Sequence, residues 1–154
     1  MRLLIDTQAL LWAVDDPAKL SGPATLVLQD PTNELLLSAA TVWELAIKLG
    51  QSKLTLSLPY RQWMERAIDD LELGILPVTI IYAERQARLP PHHKDPFDRL
   101  IIAQALEEGI PVVCADGALT LTAGRAFGNG PMTHGRFPGR LPMVAVTSSF
   151  SVPR

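Results

Sequence analysis

Short apolar runs alternate with longer stretches whose apolar residues recur at helical spacing. Leu3-Leu4-Ile5, Leu35-Leu36-Leu37, Ile75-Leu76-Pro77-Val78 and Ile110-Pro111-Val112-Val113-Cys114 are continuously apolar, as strands buried on both faces are. Between them the pattern predicts helices over 9–13, 24–29, 40–49, 60–73, 79–89 and 96–108. Ser21-Gly22-Pro23 opens the second helix, Ser38 caps the third, and Gly50, Gly74 and Gly109 act as stops, all ordinary boundary signals. The third helix is expected to bury Val42, Leu45, Ala46 and Leu49, and the last to bury Ile101, Ile102, Ala105 and Leu106. The alternating segment Leu54-Thr55-Leu56-Ser57-Leu58 fits either a linker or an edge strand. Strands alternating with helices predict an α/β fold: a central parallel sheet of four to five short strands flanked by helices, with right-handed crossovers.

Composition narrows the class. The 154 residues are 47% hydrophobic, enough for one domain with a sizeable core. The net charge of −2 provides no overall basic field for nucleic acid, so any such contact needs a local patch. Cys114 is the one cysteine. It allows no internal disulfide and reads as a small buried hydrophobe. The apolar run at the start is too short for a signal peptide, and none approaches the roughly 20 residues of a membrane span. A cytoplasmic protein with no membrane partner is expected.

Four acids share an address. Asp6 and Asp116 directly follow strands, Glu44 lies in the helix after the second strand, and Asp98 lies at the start of the helix feeding the last. In open parallel sheets ligands bind beyond the carboxyl ends of the strands. Each acid also has a structural explanation: Asp6 and Asp95 as N-caps, Asp98 as a first-turn acid, Glu44 as the surface partner of Lys48 at i,i+4. Four such acids at one sheet edge are harder to explain that way. Like charges a few ångströms apart repel by about 4 kcal/mol at an effective dielectric near 20. Such a cluster raises its own pKa values or recruits a hard divalent cation. A cation held there polarises a phosphodiester and activates water. Walker, H-E-x-x-H, C-x-x-C and G-x-G-x-x-G patterns are all missing. A phosphotransfer receiver or an aspartyl-phosphate phosphatase does not fit either; the latter needs an acid where Gln8 stands.

The stretches Leu4-Ile5-Asp6-Thr7-Gln8-Ala9-Leu10-Leu11-Trp12, Ser38-Ala39-Ala40-Thr41-Val42-Trp43-Glu44-Leu45-Ala46-Ile47-Lys48, Asp95-Pro96-Phe97-Asp98-Arg99-Leu100-Ile101-Ile102-Ala103-Gln104-Ala105 and Ala115-Asp116 together resemble the PIN-domain toxins of the VapC type. The resemblance covers 1–118, in order and at family-like spacing. It implies a PIN fold and a Mg²⁺- or Mn²⁺-dependent endoribonuclease, the toxin half of a type II toxin-antitoxin pair. A VapB-type antitoxin, an RNA substrate and a homodimer are the implied partners. By position it makes Asp6, Glu44, Asp98 and Asp116 the catalytic acids, with Asp6, Asp98 and Asp116 holding the metal and Glu44 acting through water. Thr7, Ser38 and Asp95 are expected to support those carboxylates, and Arg99 and Lys94 to touch RNA. Arg85, Arg88 and the His92-His93-Lys94 loop would complete a phosphate-contacting rim. The apolar helix over 60–73 is the expected face for a second copy or the antitoxin. Trp12, Trp43 and Trp63 read as core or interface aromatics rather than base-stacking platforms.

There are departures. Gln8 stands where close relatives usually have His, and Cys114 where Thr is frequent. Asp and Glu are absent from 117–154, where Gly, Pro and Arg accumulate. We read 1–118 as the PIN core and 119–154 as an atypical, poorly packed tail, hypothetically the product of a frame change just after Asp116 that resequencing the locus would reveal. If that tail spoils the site, the alternative is a catalytically impaired PIN-like protein that binds antitoxin or RNA without cutting.

Overall fold

The structure, a computed structural model, describes residues 1–90, 94–115 and 119–120. It is a three-layer α/β arrangement. Strand β1 (Arg2–Ile5) leads into helix α1 (Thr7–Asp15), a 3-10 turn (Pro17–Lys19) and α2 (Gly22–Gln29). Strand β2 (Glu34–Ser38) is followed by α3 (Ala39–Gly50) and α4 (Tyr60–Asp70). Then come β3 (Gly74–Leu76), α5 (Ile80–Arg88), α6 (Pro96–Glu108), β4 (Val112–Val113) and β5 (Leu119–Thr120). The strand order is β3-β2-β1-β4-β5. The first four are parallel, and β5 pairs antiparallel with β4, just past the expected core boundary. The expectations for the rest of the tail lie outside the described residues.

The apolar runs form the middle layer because they are covered on both sides. Leu3, Ile5, Leu35, Leu37 and Val113 face one layer, packing with Ala9, Leu10, Leu28, Leu45, Trp63, Met64 and Ala67 of α1 to α4. Leu4, Leu36, Leu76 and Val112 face the other, against Tyr82 of α5 and Ile101 and Ala105 of α6. Tyr82 is tied to the far end of α6, where its hydroxyl donates to Glu108 at 2.5 Å, and Arg2 donates to the other oxygen of that carboxylate at 3.1 Å. Cys114 is half-buried and packs against this second cluster.

Several expected boundaries and faces move. Helix α4 ends at Asp70, before Gly74, and the turn is made by Glu72 at φ 50. Gly74 instead opens β3, where an added Cβ would stand 2.9 Å from Leu36 Cδ2. The Leu54–Leu58 segment takes no strand pairing; its leucines pack on the first core cluster. The apolar face of α4 is likewise consumed internally, with Trp63, Met64 and Ala67 buried, so it is not free to receive a partner. Large apolar side chains that do stay exposed include Ile75, Val78, Ile80 and Ile81, along edge strand β3 and the start of α5. Thr79 occupies the N-cap position of α5 but makes no side-chain capping bond.

Among the described residues no helix is long and apolar enough to cross a membrane.

Candidate active site

The carboxyl edge of the sheet is where chain direction changes from strand to helix, and the polar residues there are fixed by capping. Asp6 directly follows β1 and caps α1, its Oδ1 accepting from the Ala9 amide at 2.5 Å. It is buried. Ser38 ends β2 and caps α3, its Oγ accepting from the Ala40 amide at 3.1 Å. Asp95 caps α6, accepting from the amides of Phe97 at 2.8 Å and Asp98 at 3.3 Å. The capping explanation for Asp6 and Asp95 is therefore correct, and it also fixes where their charges lie.

Glu44 departs from the surface ion pair expected of it. It is 2% exposed. Lys48 Nζ lies 2.5 Å from its Oε1, and the Thr7 hydroxyl donates to its Oε2 at 2.7 Å. The buried stripe of α3 is Ala40, Thr41, Glu44 and Leu45, whereas Ala46 is exposed. The helix thus turns a polar strip inward where an apolar one was expected. The Thr41 hydroxyl is buried in this strip without a hydrogen-bond partner among the described residues.

Asp98 shows how these groups relate. Its carboxyl is pushed up to about 6, first by burial, then by the charges of Asp95 and Glu44; Lys48 opposes the rise and Asp6 adds to it. A first-turn position on α6 alone would favour the anion. Burial and neighbouring carboxylates outweigh that preference. The strand β1 edge, helix α3 and the start of α6 therefore bring Asp6, Glu44, Asp95 and Asp98 within electrostatic reach. The fourth expected acid, Asp116, lies outside the described residues.

Among the described residues, no group of three or more His, Cys, Asp or Glu side chains is gathered closely enough to hold a metal ion. The donor chemistry nonetheless fits one kind of ion. Among the described residues the converging groups are carboxylates, which suits Mg²⁺ or Mn²⁺ rather than softer metals. Asp98 is displaced upward first by burial and then by the neighbouring carboxylates, and a cation would offset both effects.

The cations expected to touch RNA are mostly engaged elsewhere. The Arg99 guanidinium donates to the carbonyls of Pro90 at 2.7 Å, Leu89 at 2.8 Å and Gln86 at 2.9 Å, closing the end of α5 against the start of α6. Arg85 pairs with Glu107 at 3.3 Å, and Arg88 pairs with Glu84. Lys94 is exposed, and His92 and His93 lie outside the described residues. Sequence reasoning saw Lys48 only as half of a surface pair. Its i,i+4 spacing to Glu44 was the available signal, but not the burial. The contact between Trp43 and Phe97, across α3 and α6, was not anticipated; their ring centroids are 5.7 Å apart.

Comparison with known proteins agrees with this architecture. The profile of the PIN domain family matches residues 3–124. The chain is 30% identical over 119 residues to Ribonuclease VapC22 of Mycobacterium tuberculosis, a match covering 76% of this chain and 88% of that protein. The crystal structure of VapBC2 from Rickettsia felis, bound to a DNA fragment from their promoter, superposes with a TM-score of 0.55 at 20% identity, covering 74% of this chain and 87% of the matched one. That structural likeness supports the fold. The family match and the relative together show that this chain belongs to the PIN-domain family, among its VapC-type members.

Proposed function

We propose that the chain is a divalent-metal-dependent endoribonuclease and the toxin component of a type II toxin-antitoxin pair. The observation that supports this reading most is geometric: Asp6 at the end of β1, the buried Glu44 bonded to Thr7 beside it, and Asp98 in the first turn of α6 lie at one sheet edge. A relative that matches most of the chain is a ribonuclease by name. In this reading Asp6, Asp98 and Asp116 hold Mg²⁺ or Mn²⁺. When bound, the cation polarises the phosphodiester and activates water. Glu44 has both oxygens engaged, by Thr7 and Lys48, so it serves as a fixed anion acting through water rather than as a direct ligand. Asp95 holds the first turn of α6 in place and thereby aims Asp98. Lys94, exposed beside that turn, is the cation this reading offers to the RNA backbone.

The same reading includes a VapB-type antitoxin and a homodimer. The structural neighbour is VapBC2 bound to a DNA fragment from their promoter. The apolar edge formed by Ile75, Val78, Ile80 and Ile81 is the surface offered to a second copy.

RNA cleavage by the purified chain tests the proposal. Cleavage is expected with Mg²⁺ or Mn²⁺, none with EDTA, and a loss of about a hundredfold or more in Asp6→Asn and Asp98→Asn, corresponding to several kcal/mol of transition-state stabilisation. Cleavage that survives EDTA, or either substitution, at wild-type rate overturns it.

A further inference from the structure

The three tryptophans have different surroundings. Trp63 is fully buried, with its indole N–H donating to Asp15 at 2.8 Å. Trp12 packs, half-buried, on the first core cluster. Trp43 is 66% exposed. Single exposed apolar side chains are ordinary on protein surfaces, so exposure alone assigns Trp43 no role. Trp43 is, however, not a loose side chain. Its ring meets that of Phe97 edge to face, with centroids 5.7 Å apart and planes at 77°, a geometry in which aromatic pairs attract. The contact holds the indole while leaving most of it open.

Its location narrows the occupant. Trp43 immediately precedes Glu44 on α3, and Phe97 immediately precedes Asp98 on α6. The two helices that present the acids also present the rings, and the Trp43–Phe97 contact joins them across α3 and α6 one residue from Glu44 and Asp98. RNA approaching this flank meets a chain of net charge −2, with Arg85 and Arg88 ion-paired and Arg99 bound to three carbonyls. Among the described residues here Lys94 is exposed to a phosphate, so phosphate contacts supply part of the attraction, and the acids oppose it. Unpaired bases stacking on aromatic rings supply attraction that does not depend on charge.

Resting on the ribonuclease reading, we propose that the Trp43–Phe97 pair is a nucleobase-stacking site that seats one unpaired base of a single-stranded RNA beside the phosphodiester to be cut. The indole offers its face, and the Phe97 edge fixes its orientation. Stacking is tolerant of base identity, so the site positions the strand more than it selects sequence.

The test measures binding on chains that carry Asp98→Asn, so the strand survives titration. The probes are a short mixed-sequence single-stranded oligoribonucleotide and an abasic sugar-phosphate strand of the same length. Trp43→Ala is expected to weaken binding of the oligoribonucleotide by about 5- to 150-fold, the range of one lost base stack, and to leave the abasic strand unchanged. Trp43→Phe retains most of the affinity. Trp43 is exposed, so the melting temperature stays within a few degrees of the parent. Unchanged oligoribonucleotide binding in Trp43→Ala, or an equal loss for both probes, overturns the stacking site. So does a variant that loses only self-association or antitoxin binding, which would make the pair a protein contact. Cleavage by the chain with native Asp98 separates the two claims. If it cuts RNA while Trp43→Ala binds normally, only the stacking site fails; if it neither binds nor cuts RNA, the ribonuclease reading fails with it.

Discussion

Lys48 Nζ sits 2.5 Å from Oε1 of Glu44, a carboxylate that is almost wholly enclosed. At that burial the pair is not one of the exposed i,i+4 pairs that contribute a few tenths of a kcal/mol. Replacing Lys48 with Met leaves one oxygen of a buried carboxylate without its partner. A destabilisation of about 1–3 kcal/mol is expected, the range for a buried acceptor stranded by loss of its donor. The double variant Lys48→Met with Glu44→Gln should recover part of it, because the stranded charge is removed. Denaturant unfolding of the two single variants and the double variant measures this coupling. Purely additive losses would show that the two side chains do not depend on each other.

The Asp98 carboxyl, raised from 3.8 to about 6 in the folded chain, gives a second expectation. A carboxyl raised on folding favours the fold in its protonated form. That contribution is fully present below pH 3.8 and is lost as pH rises through about 6. In EDTA, wild-type stability from this group should therefore fall between about pH 4 and about pH 6 and level off above that, and Asp98→Asn should lack that fall. Glu108, held low by the Tyr82 hydroxyl, works in the opposite sense and at lower pH. Adding Mg²⁺ should raise the melting temperature above about pH 7 through preferential binding to the folded state, with the increment shrinking below about pH 6 as protons compete for Asp98. Identical pH dependence in wild type and Asp98→Asn would contradict this.

Arg99 holds three carbonyls at the end of α5. Arg99→Ala is expected to destabilise the chain by about 1.5–3 kcal/mol, the scale of hydrogen bonds from a charged donor. Arg99→Lys should rescue little, since an ammonium lacks the planar fork that reaches several acceptors at once. Thermal unfolding measures both. A variant that keeps wild-type stability but weakens RNA binding would instead give Arg99 the phosphate-contacting role that its position in the sequence suggested.

Much of the layout was legible in the residues. Runs such as Leu3-Leu4-Ile5 and Leu35-Leu36-Leu37 announced buried parallel strands, and Ser21, Ser38, Asp95 and Gly109 marked helix ends where the structure has them. Misreadings arose where tertiary contacts decide. Gly74 reads as a helix stop, but it opens a strand in which an added Cβ would push on the Leu36 side chain. The α4 helix ends instead at a left-handed Glu72, a conformation that sequence propensity assigns to Gly or Asn. On α3 the pattern predicts an apolar stripe, and the structure buries Thr41 and Glu44 with Ala40 and Leu45. Local pattern tends to fail where a chain departs from simple core packing for a site. The acids themselves were recognisable only in combination. Asp6 and Asp95 are each fully explained as caps, and their further meaning comes from the topology that brings β1, α3 and α6 to one edge.

The most direct test of the central claim is the anomalous difference map of a crystal soaked in Mn²⁺. The account expects one ion at the carboxyl edge of the sheet, contacted by Asp6 and Asp98 and by Asp116, with Glu44 reaching it only through water. An ion bound elsewhere, or Asp6 and Asp98 directed at different surroundings with no ion between them, would contradict it.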